Sequence, residues 1–204
     1  PLEYDTTSVA LGDVNGDGHL DLLEGCEEFD SRLFLNSGTA DPFTGVTPSV
    51  IDSEFHATCA AALGDLDNDG DLDAVLGNSE VNRLYLNDGD GDPWDTIAGL
   101  DITEDMHNAK GVALGDLDND GDLDLVAANQ YQRGRIYYNT TNQARRGVWV
   151  RCQVHGELHD TRGISSADID GDGNEDLLVA NDGTTNLLYL NNGTDQPLAG
   201  ASPV

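Results

Sequence analysis

Residues 112–128 read Val112-Ala113-Leu114-Gly115-Asp116-Leu117-Asp118-Asn119-Asp120-Gly121-Asp122-Leu123-Asp124-Leu125-Val126-Ala127-Ala128. Two short apolar runs enclose a nine-residue acidic loop of the form D-x-[DN]-x-D-G-x-x-D. The loop returns as DVNGDGHLD at residues 13–21, DLDNDGDLD at 65–73 and DIDGDGNED at 168–176. The first aspartates of the four copies are 52, 51 and 52 residues apart. A period near 50 residues marks a propeller or another repeat array.

Outward from each loop the pattern continues. Small and apolar residues precede it (8–12, 60–64, 111–115, 163–167), and a second apolar run follows it (22–25, 74–77, 125–128, 177–180). A third run (32–35, 83–86, 135–138, 187–190) stops at Asn36, Asn87, Asn139 or Asn191, with turn residues such as Ser37-Gly38, Asp88-Gly89 and Asn192-Gly193 after it. Variable stretches at 43–51, 94–102 and 148–154 supply candidates for a fourth, outer strand. Short strands so evenly spaced predict an all-β fold. The expectation is one β-propeller domain over residues 1–204, of four repeats at about 1–52, 53–103, 104–155 and 156–204. Each repeat is read as a blade of three to four antiparallel strands, with the acidic loop between its first and second strands.

The loop chemistry is that of a hard cation. Positions 1, 3, 5 and 9 carry oxygen side chains, position 7 offers its carbonyl, and Gly at position 6 lets the chain turn sharply. Six to eight oxygens suit Ca²⁺; Mg²⁺ prefers to keep its waters, and no His or Cys stands at a side-chain ligand position to suggest zinc. The expected side-chain ligands are Asp13, Asn15, Asp17 and Asp21; Asp65, Asp67, Asp69 and Asp73; Asp116, Asp118, Asp120 and Asp124; and Asp168, Asp170, Asp172 and Asp176. His19, Asp71, Asp122 and Asn174 contribute carbonyl oxygens. An EF-hand needs Glu at position 12 and flanking helices; that position holds Glu24, Leu76, Ala127 and Val179, and strand-like sequence follows. Four Ca²⁺ ions are expected, their binding coupled to the folding of each loop.

The chain of 204 residues carries 39 Asp and Glu against 9 Lys and Arg, a net charge of −30. That surface repels nucleic acid and anionic lipid. No stretch reaches the ~20 apolar residues of a membrane helix, so membrane insertion is not expected. Acids alternating with Leu, Val, Ala and Gly at fixed spacing argue for a folded core and against disorder.

Residues 112–129, with Arg135-Ile136-Tyr137-Tyr138-Asn139 beyond them, resemble the FG-GAP/VCBS repeat, and the resemblance covers essentially the whole chain. It implies one blade per repeat, a calcium loop between the first two strands, and kinship with the integrin α-subunit head, some lectins and many secreted bacterial proteins. Propellers of that family usually have seven blades, where this chain has four repeats.

Other features give further expectations. Cys26 and Cys59 lie at strand ends of adjacent repeats and are read as a disulfide, with Cys152 a buried thiol. Asn139-Thr140-Thr141 and Asn192-Gly193-Thr194 are N-glycosylation sequons at turns. The chain begins at Pro1 without Met, read as a processed chain or a fragment. Residues 197–201 resemble 96–100, and Tyr4 stands where later repeats have His56, His107 and His159, so the end leads in register toward the beginning, either closing the four blades into a ring or pairing with the next molecule. No G-x-S-x-G, P-loop or dinucleotide-binding glycine pattern is present, and no enzyme activity is expected. The favoured function is a secreted, extracellular, calcium-stabilised structural or adhesion module that self-assembles head to tail into an oligomer or filament. The alternatives are a lectin-like propeller binding glycan through Trp94, Tyr131 and Trp149, or an ancillary propeller of a larger secreted enzyme or receptor, with a protein ligand.

Overall fold

The structure, a computed structural model, describes residues 5–51, 56–89, 91, 93–94, 98–102, 106–139, 149–153, 159–194 and 198; for 149–153 and 159 the description is of the backbone. Two compact units divide the chain, Pro1–Met106 and His107–Val204. The first holds two blades. Strands β1 (Thr6–Gly12), β2 (Asp21–Cys26), β3 (Arg32–Phe34) and β4 (Ser49–Val50) form one antiparallel sheet in chain order. Strands β5 (Thr58–Gly64), β6 (Asp73–Asn78), β7 (Arg83–Tyr85) and β8 (Leu100–Asp101) form the second.

The second unit repeats this with β9 (Ala109–Gly115), β10 (Asp124–Gln132), β11 (Arg135–Asn139) and β12 (Trp149–Gln153), then β13 (His159–Ala167), β14 (Asp176–Asp182) and β15 (Leu187–Tyr189). Beyond Asn129, β10 runs on to pair with the start of β13, Gln130 opposite Asp160, which joins these strands into one seven-stranded sheet. Among the described residues the fourth blade has three strands. The fold is all-β, as the apolar spacing predicts, and the four registers agree. The last residue before each loop pairs with the ninth loop residue: Gly12 with Asp21, Gly64 with Asp73, Gly115 with Asp124, Ala167 with Asp176.

Two-residue side-chain alternation gives every blade two faces. In the first unit Val14, Leu23 and Leu33 of blade one pack with Ala74, Leu76, Tyr85 and Trp94 of blade two, flanked by Ala61, Leu63 and Leu72. In the second, Leu117, Val126 and Ile136 of blade three meet Leu177, Val179, Tyr189 and Leu198 around blade four. The first strands are also hooked together. Ala61 N–H donates to Ser8 Oγ (3.0 Å), Thr7 Oγ1 donates to the Thr58 carbonyl (2.6 Å), and Ser166 Oγ donates to the Leu114 carbonyl (2.8 Å).

Two expectations are corrected. Cys26 and Cys59 are both buried thiols outside any disulfide, so the expected Cys26–Cys59 bridge does not form. Cys59 falls at a bulge between the Thr58–Asn78 and Ala60–Gly77 pairs. Its thiol turns to the Ala57 carbonyl (3.8 Å), while Thr58 packs over Gly25, the neighbour of Cys26. Successive strand residues face opposite ways, so the residue beside blade one is Thr58. Second, Trp94 is a core residue, 1% exposed, and offers no ring to a sugar. Tyr131 is exposed. The side chains of Trp149, Cys152 and His159, and the residues Tyr4, Thr140, Thr141, 197 and 199–201, lie outside the described residues.

Candidate metal centres

Each acidic loop is shaped by its own carboxylates. The first aspartate accepts two backbone amides with its two oxygens: Asp13 from Asp17 (3.0 Å) and Gly18 (2.8 Å), Asp65 from Asp69 (3.1 Å) and Gly70 (3.0 Å). Asp116 does the same with Asp120 and Gly121, and Asp168 with Asp172 and Gly173, all at 3.1 Å. The aspartate at position 5 accepts the amide of position 7: Asp17 from His19 (2.9 Å), Asp69 from Asp71 and Asp120 from Asp122 (both 3.0 Å), Asp172 from Asn174 (2.8 Å). Such side-chain bonds close a loop that has little backbone bonding of its own.

Position 9 has a further role. Asp21, Asp73, Asp124 and Asp176 are wholly buried. Through Oδ2 each accepts the amide of position 2, from Val14, Leu66, Leu117 and Ile169 at 2.8–3.0 Å. Through Oδ1 each accepts the amide of the Asn ending the third strand, Asn36, Asn87, Asn139 and Asn191, at 2.7–2.8 Å. One carboxylate therefore ties the loop's start to the far strand.

With the loop so folded, three groups of carboxylate oxygens converge: Asp65, Asp67 and Asp73; Asp116, Asp118 and Asp124; Asp168, Asp170 and Asp176. Within each group the atoms lie within 4.8 Å of one another, and each triad can hold a metal ion. The residues fit such an ion on a second count. Oδ1 of Asp67 and Oδ1 of Asp118 are buried and accept no hydrogen bond. A buried acceptor left unpaired is costly, and a cation satisfies it. Loop one differs, because Asn15 replaces the third-position carboxylate and its amide nitrogen donates to Asp17 (3.3 Å).

Without a cation five of the loop carboxylates, all in loops one to three, are raised. Burial lifts Asp73 and Asp124 to about 7, outweighing the amides they accept. Asp21 shifts upward for the same reason. Asp67 and Asp118 rise through burial first and then through the negative charges of Asp69 and Asp120.

In loops one, two and four the position-7 side chains leave the loop, consistent with a carbonyl-only contribution. A Cβ built on Gly38, Gly89 or Gly193 would meet His19, Asp71 or Asn174 at 2.7–2.8 Å, so each packs over the turn that follows the third strand. Those glycines sit at φ +65° to +78°, where a larger residue is strained.

Two roles escape a reading of the sequence. Position 4 is left-handed in all four loops, at Gly16, Asn68, Asn119 and Gly171; its restriction to Gly and Asn is the available signal. The strand-ending Asn is more than a stop. Asn87 Nδ2 donates to the Val14 carbonyl of the neighbouring blade (2.8 Å), and Asn191 Nδ2 to the Leu117 carbonyl (2.9 Å). The Asn139 sequon is corrected on the same ground. Asn139 is fully buried and its amide nitrogen already donates to the Leu123 carbonyl (3.2 Å), whereas Asn192 is exposed.

The sequence model of one family, described as FG-GAP-like repeat, matches residues 65–127 and again residues 116–179. Each match runs from one acidic loop into the next, and together they span more than half of the chain. No curated protein matches the chain.

Proposed function

The chain belongs to the FG-GAP-like repeat family, and from that premise we propose that it is a secreted, calcium-stabilised structural or adhesion module, not an enzyme, whose four blades form a propeller-type domain that associates head to tail. The observation that carries the calcium assignment is the repeated convergence of three carboxylates, all buried or half-buried in loops two and three, with an unpaired oxygen at Asp67 and Asp118. All donors are hard oxygens, and the position-7 carbonyls and position-5 carboxylates of the same loops raise the number toward that of Ca²⁺. Four sites are proposed, at the four loops. Loop one is the weakest, since Asn15 removes a charge. Millimolar calcium is a condition of extracellular fluids, where modules with modest affinity stay loaded.

The lectin reading is the less favoured one, because Trp94 belongs to the core. Calorimetric titration of chelator-treated protein with CaCl₂ tests the proposal. The expected outcome is uptake of four ions, one of them weaker, with a rise in melting temperature. Unchanged melting with and without chelator overturns it.

A further inference from the structure

Within each unit the two blades meet by one rule. The earlier blade offers a trailing face, with Val14 and Leu23 in blade one and Leu117 and Val126 in blade three, all at most 2% exposed. The later blade covers it with a leading face: Leu63, Ala74 and Tyr85 in blade two, Ile164, Leu177 and Tyr189 in blade four. An Asn amide crosses each contact, from Asn87 to the Val14 carbonyl and from Asn191 to the Leu117 carbonyl.

Leu66 and Val75 on the trailing face of blade two and Leu125 and Tyr137 on the leading face of blade three are also buried, at most 2% exposed, whereas two faces of these kinds stand exposed. On the trailing face of blade four, Ile169 and Leu178 occupy the positions of Val14 and Leu23 yet are 48% and 47% exposed. On the leading face of blade one, Val9 and Leu11 occupy the positions of Ala61 and Leu63 and are both 59% exposed; Val50, also exposed, ends the cross-strand row Val9–Glu24–Arg32–Val50 at the far edge of the same sheet. Glu24 and Arg32 are ion-paired on that face, so they bring no net charge to a contact. Asn36 donates to the Leu20 carbonyl of its own blade and, among the described residues, crosses to no other.

We propose that the trailing face of blade four docks on the leading face of blade one of a second copy of this chain. The blade-one to blade-two and blade-three to blade-four contacts are the template, since the two exposed faces complement one another as the paired faces do within each unit. The same rule sends the Asn36 amide to the Ile169 carbonyl of the neighbouring copy. Such a contact is heterologous, so it propagates. The inference rests on the head-to-tail reading above and names its two surfaces.

Sedimentation velocity on the full chain in saturating calcium tests it. The wild type gives species that grow with protein concentration. Leu11→Asp and Leu178→Asp, each alone, stay monomeric; mixed, they give a dimer that grows no further, because each retains one intact face. Asn36→Ala weakens association about tenfold. A wild type that is monomeric at every concentration, a mixture that fails to dimerise, or dimers of Leu11→Asp alone each overturn the proposal. Calcium-loaded melts check that the variants fold; if Leu178→Asp does not, Ile169→Asp replaces it. Calcium uptake is measured on the same samples. Normal uptake without assembly refutes the docking alone, and assembly without uptake refutes the calcium reading alone.

Discussion

At position 9 of every loop a buried carboxylate holds two backbone amides, and in loops one to three burial sets the balance of its protonation. Asp73 and Asp124 lie at about 7 in the metal-free fold, against an ordinary value of 3.8. A carboxyl raised on folding favours the folded state most when protonated, so its contribution is complete below the unfolded value and is lost as pH rises through about 7. The metal-free protein should therefore melt at a lower temperature at pH 8.5 than at pH 5.5. Calcium requires the ionised form, so its binding near pH 7 releases protons, measurable by calorimetry in two buffers of different ionisation enthalpy. A pH-independent metal-free melt contradicts the assignment. Asp67 offers a sharper test. Asp67→Asn removes a charge crowded by Asp65 and Asp69, so it should raise the metal-free melting temperature while weakening calcium uptake. A residue with a merely structural role would lower both.

The hairpin with its loop, repeated from blade to blade, is the part of the fold that was legible in the residues. D-x-[DN]-x-D-G-x-x-D names its own ligands, and alternation places the flanking strands within a few residues of β1, β2, β5 and β6. What the residues did not disclose lies between elements. Cys26 and Cys59 look paired by position, and a single bulge residue puts Thr58 where the partner thiol was expected. The sequon at Asn139 looks like an open turn, and its amide is already bound inside the blade. Asn87 reads as a stop signal, and it joins two blades. Asn87→Ala should strand the buried Val14 carbonyl and the half-buried Leu72 carbonyl and cost about 1–3 kcal/mol in urea unfolding of the calcium-loaded protein. Asn36→Ala frees the Leu20 carbonyl and the Gly38 amide, both at exposed positions where water replaces the lost partner, so its cost to the folded chain is about 1 kcal/mol or less. Equal losses for the two variants would show that the inter-blade bond adds nothing.

Across the whole molecule, 39 acidic and 9 basic residues leave a charge of −30 on a chain of 204 residues. Self-repulsion of that size works against any compact state. Two agents relieve it differently. Mobile salt screens charges farther apart than about 10 Å at 0.1 M, whereas an ion held in a loop neutralises carboxylates only a few ångströms apart, where salt screens poorly. The metal-free chain should therefore gain melting temperature steadily between 20 and 500 mM NaCl without reaching the calcium-loaded value. The calcium-loaded chain should respond to salt much less, because its densest charge clusters are already compensated. Thermal melts monitored by circular dichroism in both states give the two slopes. Equal slopes would mean that the loops contribute little to the repulsion that opposes folding. A metal-free chain brought by salt alone to the calcium-loaded melting point would mean that the cation acts as diffuse charge and not as the organiser of three converging carboxylates.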